Sequence, residues 1–332
     1  MKYRRIRFCL FAYTIMAILS INSCAVSKSG KPSHTRFKGP YARFHAGQII
    51  HVKTGKAISF DRFIDQLGAM DLIFIGEVHD NPEHHLIQVQ ILQALKTRFG
   101  PLTVAMEFFP KPRQSMIDRY MQGTTTEDQF LKDVNWNNGW AFDYLFYRPL
   151  ILLIKEDGGD LLAINAPGNI VKKVARSGLD SLDRNEKNQI AENIDLSNKS
   201  HRAFLKKIFD KHEHQDLKNF DYFYQAQCVW EDTMAENIAS SLIDNKKKMV
   251  VLLGNGHIVN GFGVPERTLK RTNVSMAEVV TYPLPGHLVQ EEADYIWLTG
   301  NCSRRHHMIH NMPPVMRKQK QHAVFDLKAP EK

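Results

Sequence analysis

Four short apolar runs set the frame of this chain: Asp71-Leu-Ile-Phe-Ile75, Leu102-Thr-Val-Ala-Met106, Leu161-Leu-Ala-Ile164 and Met249-Val-Val-Leu-Leu253. Runs of this length, continuously apolar and ended by glycine or polar residues, are the signature of strands buried on both faces of a parallel sheet. Ser275–Thr281 and Tyr295–Leu298 extend the set, and the alternating stretch Ile49–Ile58 around Thr54-Gly55-Lys56 predicts an edge hairpin. Between the strands the period changes to that of helices, over Phe60–Leu67, 82–98, 112–121 and 141–156. Asn81-Pro82 supplies a cap and a first helical residue for the second of these. Residues 168–243 contain helical stretches (169–177, 183–194, 200–212, 219–243) with no strand between them. The expected fold class is therefore α/β: a mostly parallel sheet flanked by helices, carrying a helical insertion at about 168–243.

Open sheets of this kind bind ligands beyond the carboxyl ends of their strands. Here those ends carry polar groups. Gly76-Glu77-Val78-His79 closes one strand and Gly254-Asn255-Gly256-His257 another, Met106 is followed by Glu107, and Ile164 by Asn165-Ala-Pro167. Glycines are expected to let the backbone turn sharply so that the imidazoles project into a shared crevice. Imidazole with carboxylate suits a divalent metal, or a general base acting on bound water. His79, His257, Glu107 and Glu77 are thus candidate metal ligands and, in a hydrolase, candidate catalytic groups. His84 and His85 lie in the first turn of the helix opened by Pro82, near the same crevice, where a helix N-terminus favours anions and disfavours imidazolium. Gln227 interrupts the apolar stripe Phe220, Phe223, Trp230, Met234, Ile238, and a buried amide requires polar partners.

The amino terminus adds a location. Met1-Lys-Tyr-Arg-Arg-Ile-Arg7 is basic, Phe8–Ile21 is apolar but short for a spanning helix, and Ile21-Asn-Ser-Cys24 resembles a bacterial lipobox. Residues 1–23 are read as a lipoprotein signal peptide, Cys24 as the lipidated residue, 24–45 as a flexible tether, 46–305 as the folded domain and 306–332 as a tail containing His306, His307 and His310. The expected location is the bacterial cell envelope, lipid-anchored, with Ala25 suggesting the outer membrane. Loss of the signal removes Lys2, Arg4, Arg5 and Arg7, and the formal charge falls from +9 to +5. With no interleaved arginine and aromatic pattern, a nucleic-acid partner is not expected. Cys228 and Cys302 remain, too far apart in sequence to be paired without coordinates.

The ordered set Gly76–His85, Ala105-Met-Glu-Phe108, Tyr147-Arg-Pro-Leu150, Asn165-Ala-Pro167, Gln227 with Trp230 and Met234, Gly254–His257 and Pro265-Glu-Arg267 resembles the ChaN-like haem-binding uptake lipoproteins of the Tiki superfamily. That resemblance implies haem as ligand, two haems stacked between the protomers of a homodimer, tyrosinate ligation of the iron, and an outer-membrane haem or iron receptor as a possible partner. Tyr147 and Tyr144 are the leading tyrosines, with Tyr222 and Tyr224 also open, and His84, His85 and Gln227 as further cofactor contacts. No Cys-X-X-Cys-His occurs, so haem would be non-covalent. The competing reading is a metal-dependent hydrolase, a protease or esterase, using the two histidine turns and the glutamates.

Overall fold

A computed structural model of the chain describes residues 44–156, 158–211, 219–244, 247–284 and 293–300. The expected signal segment, Cys24, Cys302 and the tail with its three histidines lie outside the described residues. The elements run β1 (Ile49–His51), β2 (Lys56–Ile58), α1 (Phe60–Gly68), β3 (Leu72–Glu77), α2 (Pro82–Phe99), β4 (Thr103–Pro110), α3 (Gln114–Met121), α4 (Glu127–Asp133), α5 (Trp136–Gly139), α6 (Tyr144–Glu156), β5 (Asp160–Asn165), α7 (Gly168–Ser177), α8 (Arg184–Lys187), α9 (Lys199–Lys211), α10 (Phe220–Asp244), β6 (Met249–Gly254), α11 (Val264–Leu269), β7 (Met276–Pro283) and β8 (Tyr295–Thr299).

The described strands form one sheet in the order β2-β1-β8-β7-β3-β6-β4-β5. It is parallel from β8 to β5, and the hairpin β1–β2 adds two antiparallel strands at one edge. Alternate residues of each central strand serve opposite faces, which is why these strands are apolar throughout. Ile73, Ile75, Val104, Met106, Val250 and Leu252 pack with α1, α2, α3 and α6. Leu72, Phe74, Ala105, Val251 and Leu253 pack with Met234, Ala235 and Ile238 of α10. The expected helical insertion thus includes the second helical layer of the sheet, and α10 is its main element.

Local sequence explains most boundaries. Ser59 caps α1 by accepting from Arg62 N–H, and Asn81 caps α2 by accepting from Glu83 N–H with Pro82 at the first helical position. The expected helix over 183–194 is instead the single turn α8, opened by the reciprocal capping box of Asp183 and Glu186. Beyond it the backbone is satisfied by α10: Ala191 N–H donates to Thr233 Oγ1 and Glu192 N–H to Glu236. Tertiary acceptors replace the helical carbonyls there, and the apolar Ile190 and Ala191 are buried.

Among the described residues, one buried acid has no compensating cation beside it. Glu278 in β7 is 6% exposed, and burial together with the charge of Asp294 pushes its carboxyl up to about 8 from the ordinary 4.5. A raised folded-state value means that the folded chain holds a proton which the unfolded chain has released, so stability falls as pH rises from about 4.5 to about 8. Denaturant melts across this window should show that decline, and Glu278→Gln should flatten it.

Candidate functional site

Strand β6 enters between β3 and β4: Glu77 of β3 lies in register with Gly254 of β6, and Glu107 lies within β4 directly after Met106, the last residue of β4 paired with β6. Gly76 and Gly254 do not take the left-handed conformation; Gly254 has φ −63° and ψ 141°. Their glycines supply space, in place of the expected sharp turn. A Cβ on Gly76 would sit 2.1 Å from Asn255 Oδ1, and one on Gly254 would sit 2.8 Å from His79 Nε2.

Two imidazole and carboxylate assemblies occupy this edge. In the first, Glu77 is buried and His79 Nδ1–H donates to its Oε1 at 2.7 Å. Tyr147 donates to the same oxygen at 3.1 Å and Gln88 Nε2–H to Oε2 at 2.9 Å. Burial pushes Glu77 upward, but the charge of His85 and the hydrogen bond from His79 outweigh it and hold the carboxyl well below its ordinary range. Burial likewise opposes protonation of His79, yet its bond to Glu77 and the charge of Glu107 prevail and raise it above 6.5. The His79 side chain keeps 24% exposure among Phe108, Trp140 and Phe142, with ring centroids 6.3, 5.1 and 4.9 Å away.

In the second, Glu107 Oε2 accepts from Gly254 N–H at 2.7 Å and Oε1 lies 3.5 Å from His257 Nε2. His257 Nδ1 faces Glu231 Oε1 at 3.2 Å. Burial disfavours the imidazolium, but the charge of Glu107 and the bonds to both acids push it up to about 10. Glu231 is held at about 2: burial raises it, and the charges of His201, His257 and Arg267 bring it down. Gln227 Nε2–H donates to Glu231 Oε1 at 2.8 Å. Arg267 Nε lies 3.3 Å from Glu231 Oε2, while its Nη1 donates to Asp232, which Arg271 also reaches at 2.8 Å.

The remaining expected residues take supporting positions. His84 Nδ1 accepts from Val78 N–H at 2.9 Å and its Nε2 meets Thr299 Oγ1 at 3.0 Å, tying the 76–79 segment to β8. Burial lowers His84 to about 3, so the ring is neutral. His85 stacks on Phe146 at 5.2 Å, and its Nε2 lies 3.1 Å from His79 O. Its Nδ1 is 3.2 Å from Glu77 Oε2 but off the hydrogen-bonding direction. Tyr147 is fully buried, and Tyr144, 8% exposed, packs on Trp136; burial raises both phenols. Neither offers an open face to a porphyrin iron. Tyr224 is also buried and donates to Asn198 O, whereas Tyr222 is half-buried against Gly178. Cys228 is a buried free thiol beside Arg267.

Among the described residues no group of three or more His, Cys, Asp or Glu side chains is arranged to hold a metal ion. The structure lends the expected divalent-metal site of His79, His257, Glu107 and Glu77 no support: Glu77 accepts from His79, Gln88 and Tyr147, and Glu107 accepts from Gly254 N–H and faces His257. Glu231, Arg267 and His201 complete the second assembly and were not predicted as site residues. Glu231 lies one helical turn after Gln227, and that spacing was the available signal.

The family model described as haem-binding uptake, Tiki superfamily, ChaN matches residues 63–268. The chain belongs to this family. Its fold is that of ChaN of Campylobacter jejuni, solved in a study of cofacial heme binding, with a TM-score of 0.61 and 20% identity over 75% of this chain and 95% of that one. An open-conformation erythromycin esterase structure matches more weakly, with a TM-score of 0.43 and 13% identity over 72% of this chain and 77% of that one. A curated relative, Protein RETICULATA-RELATED 5, chloroplastic, of Arabidopsis thaliana, is 21% identical over 263 residues, which are 70% of this chain and 35% of that protein. The chain thus spans about a third of that relative's length.

Gly254→Ala tests the packing at the centre of the site. The backbone there accepts alanine, so the cost comes from the His79 ring and should be roughly 1 to 3 kcal/mol by urea unfolding. Adding His79→Ala should recover most of it, because the clash is removed.

Proposed function

We propose that this protein is a lipid-anchored haem carrier for haem or iron uptake, binding haem non-covalently as a stacked pair between two copies of the chain. The observation that carries this reading is the family match, whose span of 63–268 includes the whole cluster from Glu77 to Arg267. The site agrees in chemistry: partly exposed Trp140 and Phe142 beside His79 provide aromatic surface of the kind a porphyrin covers. Cys24 supplies the anchor in this reading, placing the carrier at the outer membrane close to a receptor that delivers haem. In this reading a tyrosine ligates the iron, and of the described candidates Tyr222 is half-buried while Tyr144, Tyr147 and Tyr224 are buried. Phenolate is a suitable donor for Fe(III).

Titration of the purified chain with hemin should give a Soret band saturating at one haem per chain, with a shift to dimer in analytical ultracentrifugation. A flat titration at micromolar hemin would remove the proposal. Tyr147→Phe should leave the spectrum unchanged, whereas Trp140→Ala should weaken hemin binding about tenfold, the effect of losing roughly 1.4 kcal/mol of aromatic contact.

A further inference from the structure

We propose that the cleft between the β1–β2 hairpin and helix α2 is a binding site for a neutral oligosaccharide. As the described residues bound it, the cleft measures about 840 Å3, within the range that holds a drug-sized ligand. It lies apart from the histidine crevice. In the sheet order, four strand spacings, about 19 Å, separate β2 from β3, the strand that carries Glu77. The inference therefore does not rest on haem binding.

The apolar part of the lining is one row of the sheet and one ring beside it. Ile58 of β2, Ile49 of β1 and Trp297 of β8 are register partners across three strands, so their side chains share one face. Phe60, the first residue of α1, stands edge-on to the Trp297 indole, with ring centroids 5.9 Å apart and planes at 63°. The polar part comes from α2. Gln90, Gln93 and Thr97 recur at helical spacing, so they share one face of the helix, and all three are exposed where they line the cleft. Thr97 Oγ1–H donates back to Gln93 O at 2.7 Å, whereas the amides of Gln90 and Gln93 donate to no described residue.

This combination selects a sugar ring. A pyranose presents a face of C–H groups, which aromatic rings cover, and a rim of hydroxyls, each both donor and acceptor, which primary amides match. A purely apolar ligand would strip water from the two amides and return no hydrogen bond. A charged ligand finds no counter-ion. Arg98 is the one charged side chain among the described residues lining the cleft, and Asp61 and Asp65 each take one of its guanidinium nitrogens at 2.5 Å. Two acids around one cation leave that rim net negative, which disfavours phosphate and carboxylate groups. The cleft is larger than a single ring requires, so the ligand class is a short oligosaccharide.

The test is isothermal titration calorimetry on the full chain, with maltotriose, cellotriose and triacetylchitotriose as neutral probes and trigalacturonate and trialanine as comparisons. At least one neutral trisaccharide should bind saturably, one per chain, at millimolar sugar or below. The double variant Gln90→Ala with Gln93→Ala changes only exposed side chains, so it should fold as the wild type does and bind about tenfold more weakly, the loss expected for two amide hydrogen bonds. Phe60→Leu keeps apolar volume but removes the ring face, and should weaken binding by a similar factor. Absence of saturable heat with all three neutral sugars overturns the proposal, as does binding that the double variant leaves unchanged. Trialanine binding in place of the sugars would make the cleft a peptide groove and overturns it too. Tighter binding of trigalacturonate than of the neutral trimers overturns it on the argument from charge. None of these results bears on hemin binding, which is read separately from the Soret band.

Discussion

Alternation of charge along a buried line is the constraint on which this site depends. Glu77, Glu107 and Glu231 are each at most 1% exposed, and an isolated carboxylate in such a place would cost several kcal/mol. Each is answered by a neighbour of opposite character: His79 for Glu77, His257 for Glu107 and again for Glu231, then Arg267, Asp232 and Arg271 in sequence. The line draws on β3, β4, β6, α10 and the short helix α11. The sheet gives it rigidity, because Glu77 and Gly254 are register partners and cannot drift apart without breaking the β3–β6 ladder.

Much of this was legible in the chain. Central strands buried on both faces must be apolar at every position, so β3, β4, β5 and β6 stand out, and a polar residue directly after such a run must lie at the sheet's edge. That reasoning reaches Glu77, His79, Glu107, Asn165 and His257. It does not reach Glu231, because a buried acid inside a long helix resembles a solvated one until its partners are known, and those partners, His257 and Arg267, lie 26 and 36 positions further on. The same limit applies to Tyr147. Its motif makes it a candidate ligand, and the structure adds what the motif does not show: its phenol donates to Glu77, buried under Phe108 and Trp136. The metal expectation finds no support for a related reason: residue types specify which donors are present, and only coordinates show which groups those donors face.

The histidines at the start of α2 show how supporting roles differ from those at the crevice. His84 and His85 are adjacent, yet one accepts from Val78 N–H and stays neutral while the other stacks on Phe146 behind Glu77. Sequence placed both near the crevice. Their individual hydrogen bonds make His84 a strut for the 76–79 segment and His85 a wall behind the acid.

The position of β6 has a consequence for biogenesis. It inserts between β3 and β4, although well over a hundred residues separate it from either along the chain. Neither β3 nor β4 has its central partner until the chain through Gly254 is available, so the contacts that close the middle of the sheet are long-range and form late, and the fold is slow to complete for that reason.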